Sequence, residues 1–169
     1  EEGARLRVRL IDCVGYIVPS SLGYIENENP RMVATPWFEE EVPFNMAAEV
    51  GTRKVISEHS TIGLVVTTDG SISDIPRSEY AECEQRVIRE LQELGKPFVV
   101  LLNCTDPESE DALALCEQMR QAYGAAVIPV SCLELTETDI RSIITQILYA
   151  MQGMEIGVEM PGSITERKP

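Results

Sequence analysis

The sequence predicts an α/β fold, in which a mostly parallel sheet carries helices on both faces. Three short runs are rich in apolar and β-branched residues, at positions 61–67, 96–102 and 125–130. Segments with helical periodicity alternate with these runs, at positions 76–94, 108–123 and 136–151. Parallel strands buried on both faces read as continuous apolar runs, and helices connect them. This alternation therefore predicts the sheet and its two helical layers.

The remaining elements follow from local signals. Residues 5–11 read as a further buried strand, and residues 44–58 as a helix with one apolar face. Between them, residues 16–42 contain three prolines and predict a long irregular loop. Gly95 and Gly124 are expected to end the second and third helices, and Thr136 or Thr138 to begin the last. Residues 154–160 read as a strand of a following segment.

Composition limits the classes of function. The chain has 169 residues, a length typical of one domain, with 44% hydrophobic residues and a net charge of −14. This charge argues against a nucleic-acid groove and against direct docking on anionic lipid. Five scattered cysteines without a Cys-x-x-Cys pair make a zinc site improbable and indicate reduced thiols. Local backbone N–H groups still allow an acidic protein to bind a nucleotide.

The first chemical signal is Asp-x-x-Gly at residues 12–15, directly after the predicted first strand. In phosphate-hydrolysing switches, an Asp at such a strand end holds Mg²⁺ through water. The Gly lets a backbone N–H approach the γ-phosphate. We therefore assign catalytic roles to Asp12 and Gly15, with Asp12 as the Mg²⁺ residue. The same tetrapeptide also suits an ordinary strand-to-turn exit.

Two later strands also end in polar loops. Asn103-Cys104-Thr105-Asp106 follows one strand, and Ser131-Cys132 follows the next. Small GTPases use Asn-Lys-x-Asp and a Ser-Ala-Lys-like loop at these places to read and support the guanine base. We therefore predict nucleotide binding by Asn103, Asp106, Ser131 and Cys132. Cys104 replaces the lysine whose stem packs over the base, which puts guanine in doubt and favours adenine.

The order of these three loops predicts a P-loop NTPase-like fold of the GTPase type. The phosphate-binding loop Gly-x-x-x-x-Gly-Lys-[Ser/Thr] does not occur in the sequence. We therefore expect residues 1–152 to be the C-terminal portion of such a domain, a fragment lacking the Walker A strand and helix. Residues 153–169 are expected to begin a following segment or linker.

Other candidates have open alternatives. Arg53, Lys54 and His59 either stabilise charge on a transferring phosphoryl group or pair with nearby Glu49 and Glu58. The aromatic groups of the long loop, Tyr24, Trp37 and Phe38, either pin the loop to the core or present it to a partner. Asp69-Gly70 either borders the cleft or is a turn.

Several segments together resemble the stage IV sporulation protein A family of spore-coat morphogenetic ATPases. They are residues 9–16 (RLIDCVGY), 35–38 (TPWF), 51–56 (GTRKVI), 58–63 (EHSTIG) and 66–72 (VTTDGSI). The resemblance implies an NTPase of the translation-factor-like GTPase class that hydrolyses ATP with Mg²⁺. Asp12 matches the Walker B position, and the change at Cys104 fits the change of nucleotide.

The resemblance also implies a setting in the cell. Hydrolysis would drive self-association into polymers on the outer forespore surface, in the mother-cell cytoplasm, as the basement layer of the spore coat. A small amphipathic membrane-anchored partner, stage V sporulation protein M, would recruit the protein, and other coat proteins would bind it. Contact with the membrane would be indirect.

Two alternatives stay open. One is a non-catalytic scaffold on a degenerate GTPase fold, and the other is a regulatory GTPase. Tyr16 occupies the position after Asp-x-x-Gly where a Gln or His often orients water. A phenol cannot act as a base near neutral pH, so slow turnover is expected.

Overall fold

The computed structural model describes residues 7–26 and 28–153. In chain order the elements are β1 (Ile25–Glu26), β2 (Asn29–Pro30), β3 (Met32–Val33), β4 (Val42–Pro43), α1 (Phe44–Lys54), a π-helical turn (Val55–His59), β5 (Gly63–Thr68), α2 (Arg77–Glu93), β6 (Phe98–Asn103), α3 (Glu110–Tyr123), β7 (Ala126–Val130), α4 (Glu137–Ala150) and a 3₁₀ turn (Met151–Gly153). The predicted alternation of strands and helices from residue 61 onward is confirmed.

The main sheet consists of β5, β6 and β7, in that order and all parallel. Thr68 of β5 pairs with Asn103 of β6, which in turn pairs with Val130 of β7. All three strands therefore end at one edge of the sheet, which we call the carboxyl edge. In α/β proteins this is the edge where ligands bind.

Helices cover both faces of β6, as predicted. On one face, Val100 and Leu102 form a core with residues of α2 and α3, including Ile88 and Cys116. On the other face, Val99 and Leu101 pack with Ile143 of α4 and with Val130. Burial on both faces explains why β6 is an unbroken apolar run. The chain has the α/β fold of a P-loop-like NTPase fragment.

The β5 strand is less well covered than β6. Among the described strands it pairs only with β6, so its other edge carries no partner there. Val65 faces α2 and is buried, whereas Val66 on the opposite face is 58% exposed, and Leu64 is also exposed. The sheet therefore has an open edge beside an apolar surface.

The prediction of a strand at residues 5–11 is wrong for the described positions 7–11. These residues adopt no regular structure, and their apolar side chains are exposed, Leu10 to 82%. A parallel strand needs ladder hydrogen bonds and cover on its faces. No described strand pairs with residues 7–11, so their apolar pattern alone does not make a strand.

The loop at residues 16–42 is irregular, as predicted, but it contains two short antiparallel ladders that the sequence did not indicate. β1 pairs with β2, and β3 pairs with β4 just before α1 begins. A Cβ at Gly51 of α1 would lie 3.1 Å from the Trp37 ring. Trp37 therefore packs against α1 although it is partly exposed.

The helix ends agree with the local signals. Gly95 and Gly124 follow α2 and α3 with φ of 62° and 64°, a backbone conformation that suits glycine. The α3 helix begins two residues later than predicted, because Ser109 caps it by accepting from the Ala112 N–H. Thr136 forms a capping box with Asp139 at the start of α4, which decides between the two predicted caps.

The predicted helix at residues 44–58 is present, but its last turn is a π-helical turn. The ammonium group of Lys96 binds the carbonyls at that end. It donates to the backbone oxygens of Ile56, Ser57 and Ser60, at 2.9 Å and 2.7 Å for the last two. Because Lys96 lies just before β6, this contact, the Lys96 tether, ties the end of α1 to the sheet.

Within the described ranges, the model contains no helix long and apolar enough to cross a membrane. The predicted strand at residues 154–160 lies outside the described residues.

Candidate functional site

Polar loops gather at the carboxyl edge of the sheet. The Asn103 side-chain oxygen accepts a hydrogen bond of 2.9 Å from the Cys132 N–H, which joins the loop after β6 to the loop after β7. The Cys104 N–H donates to the Val130 carbonyl, also at 2.9 Å. Of the four residues predicted to bind a nucleotide, the structure thus brings Asn103 and Cys132 together. Asp106 and Ser131 lie in the same two loops, and their role in binding stays a prediction.

Asp106 is exposed and partly engaged at the start of α3. Its Oδ1 accepts from the Glu108 N–H at 3.1 Å, and its carbonyl accepts from the Ser109 side chain. No other described residue hydrogen-bonds its side chain, so Oδ2 is left for a ligand donor. The turn thus orients the Asp106 carboxylate without consuming it.

Cys104 does not occupy the surface position that a base-packing lysine would take. Its residue is 1% exposed, and its thiol lies 3.6 Å from the Leu102 carbonyl and 3.7 Å from the Val130 carbonyl. Burial, helped by the negative charge of Asp69, raises the pKa of the Cys104 thiol to about 11. Cys104 is therefore a neutral core residue and offers no stem to pack over a base.

A third loop joins the same edge, through contacts that the sequence did not indicate. Asp69 Oδ1 accepts from the Ser71 N–H at 2.8 Å and from the Ser71 hydroxyl at 2.6 Å. The Ser71 oxygen in turn accepts from the Thr105 N–H at 2.9 Å. Through Ser71, the Asp69-Gly70 loop supports the loop that carries Asn103 and Asp106, so it borders the candidate site.

Asp12 and Gly15 lie apart from these loops in their contacts. In the described part of the chain, no hydrogen bond or ion pair joins either residue to the carboxyl edge. Asp12 is exposed and borders an apolar cavity of about 430 Å³, which Trp37 and one face of α1 also line. Gly15 has φ of 79°, and a Cβ there would meet no atom within 4 Å. Backbone conformation, not crowding, thus favours glycine at this position.

In the described ranges, no three His, Cys, Asp or Glu side chains come together as metal ligands. Asp12 is a single carboxylate that makes no hydrogen bond or ion pair to another described residue. It fits an ion whose other ligands are water and phosphate oxygens, which is how Mg²⁺ usually binds with nucleotides.

Tyr16, directly after Gly15, is attached to α2. Its hydroxyl donates to Glu90 Oε2 at 2.5 Å, and the Arg86 guanidinium lies 4.0 Å from its ring centroid. Partial burial, together with the hydrogen bond to Glu90 and its charge, raises the pKa of Tyr16 to about 12. The hydroxyl therefore keeps its proton near neutral pH, in line with the expectation that Tyr16 is no general base.

The basic residues near the end of α1 make ion pairs. Lys54 pairs with Glu58 at 3.3 Å, as the structural alternative predicted. Arg53 pairs at 3.5 Å with Glu90 of α2, and Glu49 pairs with Arg86, so Glu49 binds a different arginine from the one expected. No described contact places Arg53, Lys54 or His59 at Asp12.

One carboxylate departs from the expected solvated helix faces. The Glu84 side chain is 1% exposed, between α2 and α3. It accepts from the Tyr123 hydroxyl at 2.6 Å and pairs with Arg77 at 2.9 Å. Burial and the Glu84 carboxylate raise the pKa of Tyr123. The hydrogen bond from Tyr123 links α3 to Glu84, whereas the ion pair with Arg77 stays within α2.

Comparison with known proteins gives a consistent result. Residues 1–152 match the family model for the stage IV sporulation protein A, ATPase domain. The chain is 47% identical to stage IV sporulation protein A of Bacillus anthracis over 161 residues, 95% of this chain and 33% of that protein. The corresponding proteins of Bacillus subtilis (strain 168) and Clostridioides difficile (strain 630) are each 46% identical, over 95% and 92% of this chain.

The chain spans about a third of the length of these curated relatives, 32% of the last two. No solved structure matches it. The family model nevertheless extends over most of the sequence, including every candidate site residue. The chain belongs to the stage IV sporulation protein A family.

Proposed function

We propose that this chain is part of an enzyme that binds ATP with Mg²⁺ and hydrolyses it to ADP and phosphate. The observation that carries the proposal is the hydrogen bond between Asn103 and the Cys132 N–H. It holds two polar loops together at the edge of a parallel sheet where nucleotides bind in this class of fold. The family model, which describes an ATPase domain, supports the same activity.

The loops at the carboxyl edge are proposed to bind the nucleotide base. Asp106 offers a carboxylate oxygen to an exocyclic amino group, and Ser131 offers a hydroxyl. Because the buried Cys104 side chain cannot cover a base, the contacts that favour guanine in small GTPases are incomplete. Adenine is the better fit, and preference for GTP is the alternative that the experiment below tests.

Asp12 and Gly15 are proposed to act at the phosphates. The Asp12 carboxylate would hold a water molecule of Mg²⁺, and the Gly15 N–H would contact the γ-phosphate. Mg²⁺ would neutralise charge on the β- and γ-phosphate oxygens. The sequence contains no Gly-x-x-x-x-Gly-Lys-[Ser/Thr] loop, so the proposed activity applies to a protein that carries this loop elsewhere. Since the Tyr16 hydroxyl keeps its proton and donates a hydrogen bond to Glu90, it supplies no general base, and turnover should be slow.

The setting in the cell is proposed from the family alone. Hydrolysis would drive self-association into polymers that form the basement layer of the spore coat, in the mother-cell cytoplasm at the outer forespore surface. Stage V sporulation protein M would link the protein to the membrane, and other coat proteins would bind the polymer. The net charge of −14 supports an indirect rather than a direct contact with anionic lipid.

The experiment is nucleotide hydrolysis by the full-length protein, with ATP or GTP and Mg²⁺, compared for the wild type and Asp12→Asn. We expect ATP hydrolysis that falls at least about a hundredfold in the variant, as is usual when a charge-stabilising group is removed from an active site. Asp74→Asn is the matched control, because Asp74 is exposed and hydrogen-bonds to no described residue.

Each outcome has a clear meaning. Preference for GTP would show an ordinary switch GTPase. Assembly without binding of either nucleotide would show a scaffold on an old fold. Equal hydrolysis by wild type and Asp12→Asn would show that Asp12 does not hold the metal. Sedimentation of the ATP-treated wild type tests the proposed polymer.

A further inference from the structure

The segment after Gly15 lies along one face of α2. Ser20 N–H donates to Glu79 at 3.0 Å, the Ile17 carbonyl accepts from Cys83 at 3.3 Å, and Tyr16 contacts Arg86 and Glu90. The four positions on α2 are spaced by four, three and four residues, so they share one face of the helix. Residues 16–20 are therefore held against α2 over three helical turns.

Two side chains of α2 provide the contacts nearest to Gly15. The Glu90 carboxylate accepts a hydrogen bond from the Tyr16 hydroxyl, and the Arg86 guanidinium lies over the Tyr16 ring. We call Tyr16, Arg86 and Glu90 the Tyr16 clamp. The phenol is protonated at physiological pH, so the hydrogen bond to the Glu90 carboxylate is available throughout that range.

The α1 helix contacts the same two side chains. Glu49 pairs with Arg86, and Arg53 pairs with Glu90 at 3.5 Å. Arg86 and Glu90 also lie 3.7 Å apart, as an i,i+4 pair on α2. Arg86 and Glu90 therefore contact both Tyr16 and the α1 helix.

The chain on the other side of Gly15 is held differently. Residues 7–14 are exposed and lie in no strand, and Asp12 makes no hydrogen bond to another described residue. Gly15, with its φ of 79°, lies between these exposed residues and residues 16–20, which are held against α2. Among the described residues, the hydrogen bonds that hold the chain next to Gly15 therefore come from the Tyr16 side.

We propose that Tyr16 is a positioning residue, which fixes the Gly15 N–H where it meets the γ-phosphate by anchoring the next residue to α2. The proposal rests on the proposed ATPase function. Tyr16 does not touch the reacting atoms in this role, and it acts through the backbone of Gly15. The Tyr16 clamp also links that backbone to α1, so both helices hold the position together.

The test uses the full-length protein with Tyr16→Phe, which keeps the ring on Arg86 and removes the bond to Glu90. We expect kcat for ATP to fall by about tenfold, the effect of one charge-assisted hydrogen bond, while KM changes by less than about twofold. Tyr24→Phe is the matched control. It removes a phenol hydroxyl of the same loop that donates to the Pro19 carbonyl at 2.6 Å and does not reach α2.

The Glu90 variants separate positioning from packing. Glu90→Gln keeps an oxygen acceptor for Tyr16 and should retain most of kcat, whereas Glu90→Leu, which also loses the ion pairs with Arg53 and Arg86, should lose at least as much as Tyr16→Phe. The double variant Tyr16→Phe/Glu90→Leu should be no slower than Glu90→Leu, because that single variant already lacks the bond that Tyr16→Phe removes. Additive losses in the double variant would overturn the proposed pairing.

Amide hydrogen exchange distinguishes the proposal from the ATPase function itself. In nucleotide-free protein, exchange at residues 12–16 should be faster in Tyr16→Phe than in wild type or Tyr24→Phe. If the wild type hydrolyses no ATP, the proposed function fails, and this comparison still tests the clamp. If Tyr16→Phe and Tyr24→Phe show equal exchange at residues 12–16, and equal kcat where the protein turns over ATP, the proposed role of Tyr16 is overturned.

Discussion

Asn103 is the residue that joins the loops of the candidate nucleotide site. Replacing it with alanine removes the hydrogen bond to the Cys132 N–H and leaves both loops without that link. We expect the affinity of the full-length protein for ATP to fall about five- to tenfold, since a net hydrogen bond is worth about 1 kcal/mol. Calorimetric titration with a non-hydrolysable ATP analogue measures this.

Asn45→Ala is the control for this change. Asn45 is exposed on α1, and its side chain hydrogen-bonds to no other described residue, so its replacement should leave the affinity unchanged. If Asn103→Ala binds as tightly as the control, the Asn103 link does not organise the nucleotide site.

Tyr16 makes the free energy of unfolding depend on pH in the alkaline range. Its folded-state pKa is raised from 10.0 to about 12, so the protonated phenol stabilises the fold. The contribution is complete below pH 10 and is lost as the pH rises through 12. Urea unfolding of the chain should therefore show a smaller loss of stability between pH 10 and 12 for Tyr16→Phe than for the wild type.

Tyr24→Phe again serves as the comparison, because it leaves Tyr16 and Glu90 in place and should follow the wild-type curve. A Tyr16→Phe curve that falls as steeply as the wild type would show that Tyr16 carries no such linkage.

At the residue scale, the sequence could predict Asn103 and Asp106 because their role depends on a short motif after one strand. The partners of Tyr16 could not be read in the same way. Glu90 lies 74 positions further along the chain, and only the packing of α2 brings it to the loop. Likewise, the burial of Glu84 depends on Tyr123, which is 39 positions away.

The α4 helix depends on its first residues. Thr136 accepts from the Asp139 N–H, and the Asp139 carboxylate accepts from the Thr136 N–H. Thr136→Ala should lower the free energy of unfolding by about 1 kcal/mol, the usual value of an N-cap. Urea unfolding of the chain measures it.

Thr138→Ala, inside the first turn of α4, is the matched control. Thr138 makes no hydrogen bond from its side chain to a described residue, and alanine favours helix more than threonine. The control should therefore be as stable as the wild type or slightly more so. Equal losses in both variants would show that the capping box does not stabilise α4.

At the scale of elements, features set by local sequence could be predicted, whereas features that depend on tertiary contacts were harder to predict. Gly95 and Gly124 end their helices through their own backbone conformation, so the sequence could predict them. Residues 7–11 have the apolar pattern of a strand, but a strand also requires a neighbour that no described segment supplies. The two short ladders of the long loop arise from turn contacts that its composition does not reveal.

At the scale of the whole molecule, the open edge of β5 is the main irregularity. Among the described strands, this edge of β5 has no partner, and exposed Val66 lies beside it, so the edge can pair with another chain. In solution, the 169-residue chain should therefore associate reversibly, and Val66→Lys should reduce the association by placing a charge beside the edge. Sedimentation velocity over a range of concentrations measures the effect.

Leu113→Lys is the control, because it makes the same change in net charge on the surface of α3, where Leu113 is 47% exposed. It should leave association unchanged. If the two variants behave alike, net charge and not the β5 edge controls association.

The Lys96 tether has a consequence for the order of folding. Its contacts span 36 to 40 positions, and they enclose β5 and α2. Lys96 reaches the end of α1 once β5 and β6 have paired, because that pairing brings Gly63 beside Phe98. We therefore expect the tether to form after the rate-limiting step, so that Lys96→Met speeds unfolding and leaves the folding rate unchanged, as stopped-flow mixing can show. A slower folding rate would place the tether in the nucleus instead. On this expectation, Lys96 sets how long α1 stays attached and leaves the rate at which the sheet assembles unchanged.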